Sequence, residues 1–192
     1  MATQHDTVDL VGDETVRYFA LAVLLAALTA AMAKLKVPYP LSPTDITLQV
    51  MGVCIAGLVL GPLWGGFSML LYLLVGFAGA PVFTDGGGPG YLWHHTAGFL
   101  VGFLVAAVVI GAVVHRQVEP RDLDSVSLVV QVGALLVGVG VIYTLGVPWL
   151  SYVTGLSLPR AAVTGALVFL PADAAKVAAT VALVRGGHLV TP

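Results

Sequence analysis

Charged residues are rare along this chain, and the intervals between them are long enough to cross a membrane. The longest interval, residues 46–84, runs for 39 residues without a charge. A helix crosses a hydrocarbon core of ~30 Å with ~20 residues, so this interval predicts two helices. Gly61-Pro62 is the natural turn between them, because proline cannot donate the next helical hydrogen bond.

The same pattern over the whole chain predicts an all-α fold, an integral membrane six-helix bundle. A short connecting helix is expected before the last span, because Pro148, Gly155 and Pro159 interrupt that region. Pro171 suits the first turn of the last helix, where its missing N–H is no loss. The predicted spans are residues 18–35, 46–60, 63–79, 95–114, 126–145 and 171–184.

The two ends of the chain are expected to lie outside the bundle. Residues 1–16 form a polar acidic tail, residues 17–186 the transmembrane domain and residues 187–192 a short C-terminal tail. Lysine and arginine are enriched in the cytoplasmic loops of membrane proteins, and this bias predicts that both termini are cytoplasmic in a multi-pass protein of the cell membrane. With six spans, the inner side holds Arg17, Arg116, Arg121 and Arg185, and the outer side holds Lys34, Lys36 and Arg160.

Composition agrees with a membrane protein and excludes several classes of function. Only 9% of the residues are charged, against roughly 25% in soluble domains, and 58% are hydrophobic. A net charge of -2 leaves no basic surface, so no nucleic acid partner is expected. The single cysteine, Cys54, allows neither an intramolecular disulfide nor a cysteine-clustered metal site.

The sequence predicts neither a nucleotide site nor a metal or cofactor site. No Gly-Lys dipeptide occurs in the chain, so a phosphate-binding loop of the P-loop type is absent. His94 and His95 are adjacent, and neighbouring residues on a helix point about 100° apart, which makes them a poor chelating pair. No cofactor is therefore expected.

Asp173 and Lys176 are the strongest candidates for a binding site. They are the only oppositely charged pair in the last third of the chain, and their i, i+3 spacing places both on one face of the helix that Pro171 begins. Ionisable groups at membrane depth are functional candidates by default. The alternative is a self-neutralising pair that only fastens the last helix, and the two interpretations are compatible.

Polar and aromatic residues near two loops provide further candidates. Thr47 and Gln49 open the second helix with hydrogen-bonding side chains, although a lone glutamine there is more typical of interhelical contacts. The loop around Gly86, Gly87 and Gly88 either approaches a ligand closely or is a flexible hairpin. The aromatic residues beside it can line an apolar pocket or form a belt at the bilayer surface. These residues are Phe83, Tyr91 and Trp93.

Small residues recur along one face of the first helix. Ala22, Ala26 and Ala30 follow each other at spacing four, and such a strip lets another helix approach closely. The sequence leaves open whether the strip packs inside the chain or docks a partner protein.

Taken together, these motifs resemble those of the BioY family, the biotin-capturing S component of energy-coupling-factor (ECF) transporters. The resemblance covers nearly the whole chain after the acidic tail. One departure is His94-His95-Thr96-Ala97-Gly98-Phe99, where the family usually shows Gly-Pro-Thr-Gly-Gly-Tyr. The motifs that carry the resemblance are Ile46-Thr47-Leu48-Gln49, Gly57, Leu60-Gly61, Tyr72, Gly76, Gly79, Pro81-Val82-Phe83 with the glycine loop, Gly98-Phe99, Gly102-Phe103, Gly146, Trp149-Leu150 and Phe169 to Lys176.

The resemblance implies a six-helix membrane protein with a vitamin pocket near its outer face. The family's late Pro-x-Asp-x-x-Lys element, which is associated with ligand binding, corresponds to Pro171, Asp173 and Lys176. Alanines on helix one would dock on a transmembrane coupling protein that works with two ATPase subunits. The chain is then a transporter subunit and not an enzyme.

Biotin would be held by residues that the sequence already singles out. We expect Lys176 to bind its carboxylate and Asp173 or Gln49 to accept hydrogen bonds from its ureido ring. Phe83, Tyr91 and Trp93 would form the apolar walls, with the glycine loop closing over them. The alternatives are a solitary vitamin facilitator without partners and, more remotely, an intramembrane enzyme.

Overall fold

The computed structural model describes residues 12–186, and helices dominate this part of the chain. Two short antiparallel strands, β1 (Lys36–Val37) and β2 (Ile46–Thr47), join the first two helices. Short 3-10 turns lie at Pro89–Trp93, Leu123–Ser125 and Leu167–Phe169. The helices are α1 (Asp13–Lys34), α2 (Gln49–Phe77), α3 (Ala97–His115), α4 (Leu128–Thr154), α5 (Leu158–Gly165) and α6 (Leu170–Gly186).

Five helical segments of the described residues are long and apolar enough to cross a membrane. Four of them are α1, α2, α3 and α4, and the fifth runs from Leu158 to Gly186 through α5 and α6. The prediction of a mostly helical membrane protein is therefore confirmed.

The helix α2 doubles back on itself at Gly61. This residue has φ 72° and ψ -174°, outside the helical region, and Pro62 follows it. A Cβ on Gly65 would lie 2.7 Å from the Ala56 carbonyl oxygen, so the two arms pack against each other. The arms, residues 49–60 and 62–77, are thus antiparallel, and the turn lies where the sequence predicts it.

A histidine from α3 satisfies the carbonyl group that this turn leaves free. Pro62 has no N–H to donate to Leu58, four residues earlier in the helix. The His115 Nε2 lies 2.9 Å from the Leu58 oxygen, and His115 Nδ1 accepts a 3.1 Å hydrogen bond from the Arg121 backbone N–H. Because Nδ1 is the acceptor, Nε2 carries the proton and donates to Leu58.

Two predicted boundaries differ from the structure. The helix α1 begins at Asp13, inside the predicted tail, and its first turn carries Asp13 and Glu14, which favour a helix N-terminus. The helix α4 continues through Pro148 to Thr154 and ends at Gly155, whose φ is 70°. Membrane helices tolerate proline because neighbouring groups satisfy the freed backbone, so the predicted interruption at Pro148 is wrong. Residues 1–11 and 187–192, most of the predicted tails, lie outside the described residues.

The bundle has two distinct ends. At one end, here called the loop end, the Lys34 Nζ donates a 2.5 Å hydrogen bond to the Phe83 oxygen, and the Trp149 Nε1 donates to the His94 oxygen at 3.0 Å. At the opposite end, Arg185 near the end of α6 donates to the Val126 oxygen just before α4. Both ends of the described chain, the start of α1 and the end of α6, lie at this opposite end.

Candidate functional site

A cavity of about 320 Å³ opens at the loop end of the bundle. Its volume lies in the range of small-molecule sites. Residues of the β1–β2 connection, α2, the glycine loop, α3, α4 and the α5–α6 region line it. The apolar walls are Phe99, Leu100, Phe103, Ile142 and Phe169, and the polar or charged lining includes Thr44, Asp45, Thr47, Gln49, Thr84, Asp85, Thr96, Tyr143, Asp173 and Lys176.

Asp173 and Lys176 form the buried ion pair that their spacing predicts. The Lys176 Nζ donates to Asp173 Oδ1 at 2.7 Å, and both side chains are buried apart from their share of the cavity surface. The Tyr143 hydroxyl donates to the other carboxylate oxygen, Oδ2. Both carboxylate oxygens of Asp173 thus accept hydrogen bonds. The Lys176 ammonium, the Asp173 carboxylate and the Tyr143 hydroxyl all line the same cavity.

Tyr143 is a lining residue that the sequence analysis missed. It lies in the middle of α4, within a long apolar run, and no charged residue is near it in sequence. A polar aromatic residue in the middle of a membrane span is the signal that could have found it, but its partner lies 30 residues away on another helix.

Gln49 lines the cavity, but hydrogen bonds within the protein already occupy most of its amide. Its Oε1 accepts from the hydroxyls of Thr47 at 3.0 Å and Thr84 at 2.9 Å. Its Nε2 donates to the Tyr72 hydroxyl at 2.7 Å, and Tyr72 donates to the Val82 oxygen at 3.2 Å. Gln49 therefore ties the glycine loop to both arms of α2, in keeping with the interhelical role that the sequence favoured.

The glycine loop is anchored by Phe83, whose side chain is fully buried. Its ring packs against Tyr72, Phe77 and Tyr91, with centroid distances of 5.3, 5.1 and 4.7 Å. A Cβ on Gly76 would lie 2.1 Å from this ring, so only glycine fits beneath it. Phe83 belongs to the core of the bundle and does not line the cavity.

The glycines position their neighbours and do not themselves line the cavity. Gly86 and Gly88 have φ of 134° and 101°, which side-chain-bearing residues rarely adopt. A Cβ on Gly87 would lie 2.0 Å from the Ala80 oxygen. The residues of this loop that reach the cavity are Thr84 and Asp85.

The other predicted aromatic walls also lie outside the cavity. Tyr91 is buried, and its hydroxyl accepts a 3.2 Å hydrogen bond from Thr96, which lines the cavity. Trp93 is 69% exposed and stacks near Trp149 at 6.2 Å. Of the two interpretations of Trp93, its exposure favours the belt at the bilayer surface.

Three charged groups connect two loops beside the cavity. The Lys36 Nζ lies 3.2 Å from Asp45 and 2.6 Å from Asp85, and both aspartates line the cavity. The hydrogen bond to Asp85, and to a lesser extent that to Asp45, raises the pKa of Lys36. His94 Nε2 lies 3.9 Å from Asp85, but burial lowers the pKa of His94, which favours its neutral form. Lys36 therefore bridges the β1–β2 connection to the glycine loop.

The alanine strip of α1 faces the rest of the chain. Ala22 and Ala26 are buried, whereas Ala30 is half-buried. Ser68 on α2 donates a 2.8 Å hydrogen bond to the Ala22 oxygen, so the helices meet closely along this strip. Packing within the chain accounts for these contacts, and a docking role of the strip stays a prediction.

Comparison with known proteins decides the family. Residues 3–192 match the model of the BioY family. The chain belongs to the BioY family. The resemblance that the sequence motifs indicated is thus confirmed.

The relatives of this BioY-family chain align with it over different fractions of their length. A biotin transporter BioY of Rhizobium etli is 37% identical over 164 residues, which cover 83% of this chain and 87% of the relative. A Bacillus subtilis relative described as a probable biotin transporter BioY is 33% identical over 159 residues, which cover 80% of this chain and 82% of the relative. A Lysinibacillus sphaericus relative described in the same words is 41% identical over 127 residues, covering 66% of this chain but only 61% of that protein.

A solved structure has the same fold. It is a crystal structure of the S-component for biotin from an ECF-type ABC transporter, 26% identical in sequence. The superposition has a TM-score of 0.82 and covers 92% of this chain and 93% of that one.

Proposed function

We propose that this chain captures biotin for uptake, as the membrane-embedded component of an ECF-type transporter. The observation that carries this proposal is the buried cluster of Asp173, Lys176 and Tyr143 facing a cavity of about 320 Å³. The names of the relatives and of the similar solved structure support biotin as the ligand. They also favour transport over the intramembrane enzyme alternative.

The geometry favours a different orientation of biotin from the one that the sequence suggested. Lys176 and Asp173 are in direct contact, so they meet the same end of a ligand. A neutralised ion pair is a weak site for a carboxylate, but it matches a ureido ring, which offers an acceptor oxygen to Lys176 and an N–H donor to Asp173. The ureido ring lies against this pair, the walls around Phe99 and Phe103 cover the sulfur-containing ring, and the carboxylate points towards the mouth.

Equilibrium binding of biotin to the detergent-solubilised chain tests the proposal, with thiamine and riboflavin as comparison ligands. Removing one partner of a buried ion pair costs about 3–5 kcal/mol, so single variants risk misfolding. The double variant Asp173→Asn/Lys176→Met removes both charges together and should fold yet bind biotin far more weakly. Asp122→Asn changes an exposed residue at the opposite end of the bundle and is the matched control. Unchanged biotin affinity in the folded double variant contradicts the proposal.

Biotin analogues test the orientation separately. An analogue with the ureido oxygen replaced by an imino group should lose most of the affinity, because it presents a donor to the Lys176 ammonium. Conversion of the carboxylate to an amide should cost less. A larger loss for the amide would favour Lys176 as the carboxylate site.

We further propose six membrane crossings with the loop end outside the cell. The first arm of α2 runs from the loop end to the turn, and the second arm returns, so this helix contributes two crossings. Both chain ends then lie on the cytoplasmic side, in keeping with the lysine and arginine bias. A membrane-impermeant maleimide on intact cells should label Leu41→Cys, in the β1–β2 connection at the loop end, but not Val118→Cys. The natural Cys54 is buried and gives little background.

Energy for release is proposed to come from partner subunits, namely a transmembrane coupling protein and two ATPases. The sequence supports this because it contains no Gly-Lys phosphate-binding loop. Co-purification of an ATPase module with the tagged chain would support the ECF assembly. Biotin uptake by vesicles containing this chain alone would support the solitary facilitator.

A further inference from the structure

Two acidic side chains share one ammonium group beside the mouth of the cavity. We call these residues the mouth trio and define it as Lys36, Asp45 and Asp85. The Lys36 Nζ lies 3.2 Å from Asp45 Oδ2 and 2.6 Å from Asp85 Oδ1, and both aspartates line the cavity. An ammonium carries three N–H donors, and these two contacts use two of them. Among residues 12–186 no acceptor takes the third, so Lys36 keeps a donor available beside the cavity.

Most of the hydroxyl groups that line the cavity already donate their proton to another group of the protein. They offer a ligand only their oxygen, which is an acceptor. A carboxylate is also an acceptor, so it needs a donor or a cation. These hydroxyls therefore cannot take the place of Lys36 as the partner of a carboxylate. The hydroxyls concerned belong to Thr47, Thr84, Thr96 and Tyr143.

The ion pair at the inner end of the cavity leaves a carboxylate without a counter-charge as well. Asp173 already neutralises Lys176, and the orientation proposed above places the ureido ring against this pair. The helix α6 rises about 9 Å from Leu170, at the loop end, to Lys176. The fused rings and valerate chain of biotin extend over a comparable length, so the carboxylate comes to lie at the mouth trio.

We propose that Lys36 binds the carboxylate of the ligand and makes the site selective for an anionic tail. This inference rests on the proposed capture of biotin in the stated orientation. Asp45 and Asp85 compete with the ligand for the Lys36 ammonium, and their negative charges repel the bound carboxylate. The two aspartates thus hold Lys36 in place in the empty cavity and limit the affinity of the filled one.

Binding of biotin and of biotin amide to the same variants tests this assignment. Lys36→Met should weaken biotin binding about fivefold, the upper range for a solvent-accessible ion pair, and should change binding of the amide less than about twofold. Lys34→Met is the matched control, because Lys34 lies at the same end but donates to the Phe83 backbone oxygen and not to a lining carboxylate. Any effect of this control should fall equally on both ligands.

Asp85→Asn separates a lysine that binds the carboxylate from one that only connects two loops. The new amide oxygen can still accept a hydrogen bond from Lys36, but the negative charge is gone. If Lys36 binds the carboxylate, this variant should bind biotin about twofold to fivefold more tightly than the parent and should bind the amide unchanged. A lysine that only connects the loops predicts weaker binding of both ligands.

The outcomes distinguish this assignment from the proposed function. Equal losses of biotin and biotin amide in Lys36→Met would overturn the assignment, and so would weaker biotin binding by Asp85→Asn. In both cases the parent still binds biotin, so the proposed function stands. If the parent binds neither ligand, the proposed function fails and the assignment fails with it. Retained binding of the amide shows that each variant is folded.

Discussion

The contact between Gly76 and Phe83 links the helix α2 to the cavity, and Gly76→Ala probes it directly. The added Cβ would lie 2.1, 2.4 and 2.7 Å from three atoms of the Phe83 ring. Ordinary carbon contacts are about 3.5–4.0 Å, so the ring must withdraw by roughly 1 Å or more. Tyr72, Phe77 and Tyr91 surround the ring, and it has no free space to enter.

The expected cost follows from two opposing effects. Overpacking of a filled core costs about 1–3 kcal/mol. Replacing a helical glycine by alanine returns up to about 1 kcal/mol. We expect a net loss of about 1–2 kcal/mol, which lowers the melting midpoint by about 2–8 °C for a chain of this size.

Thermal unfolding in detergent measures this loss, with Gly133→Ala as the matched control. Gly133 also lies in a membrane helix, but its added Cβ meets no atom within 4 Å. Gly133→Ala should leave the midpoint unchanged or raise it. Phe83→Leu in the Gly76→Ala background should recover part of the loss, because the smaller side chain relieves the clash.

The same variant should also weaken biotin retention. Phe83 precedes Thr84 and Asp85, which line the cavity, so a displaced ring moves the loop that carries them. We expect faster dissociation of biotin from Gly76→Ala than from Gly133→Ala. If the melting midpoint of Gly76→Ala equals or exceeds that of the parent, the Phe83 ring is not tightly packed. The conclusion that this ring anchors the glycine loop then fails as well.

Three further variants test other parts of the structure. His115→Ala leaves the Leu58 carbonyl without its donor and should cost about 1–3 kcal/mol, seen as a lower melting midpoint; an unchanged midpoint would mean that another donor replaces the imidazole. Ala22→Leu should lower the melting midpoint because Ala22 is fully buried, whereas Ala27→Leu, on the exposed face of α1, should not. Co-purification of the coupling protein with each variant then shows which face of α1 docks it. Lys36→Met should change the midpoint little, because its ion pairs are exposed, but should speed biotin exchange measured by stopped flow; equal rates would refute a role for this bridge.

The sequence by itself determines that the chain is a mostly helical membrane protein and where its apolar helices approximately lie. Burying a charge in lipid is costly, so uncharged intervals of sufficient length have few alternatives to a helix. The turn at Gly61-Pro62 is also local, because it depends on the backbone limits of these two residues. The i, i+3 spacing of Asp173 and Lys176 is enough to predict that they face one direction.

Only the tertiary structure decides which apolar residues face the cavity, the core or the lipid. In a soluble protein the polar face of a helix reveals its orientation, but lipid is as apolar as the protein core, so this signal is lost in a membrane helix. Phe83 and Phe99 look equivalent in sequence, yet Phe83 is buried in the core and Phe99 lines the cavity. The hydrogen bond from Tyr143 to Asp173 likewise forms only because α4 and α6 pack side by side, which the sequence does not reveal.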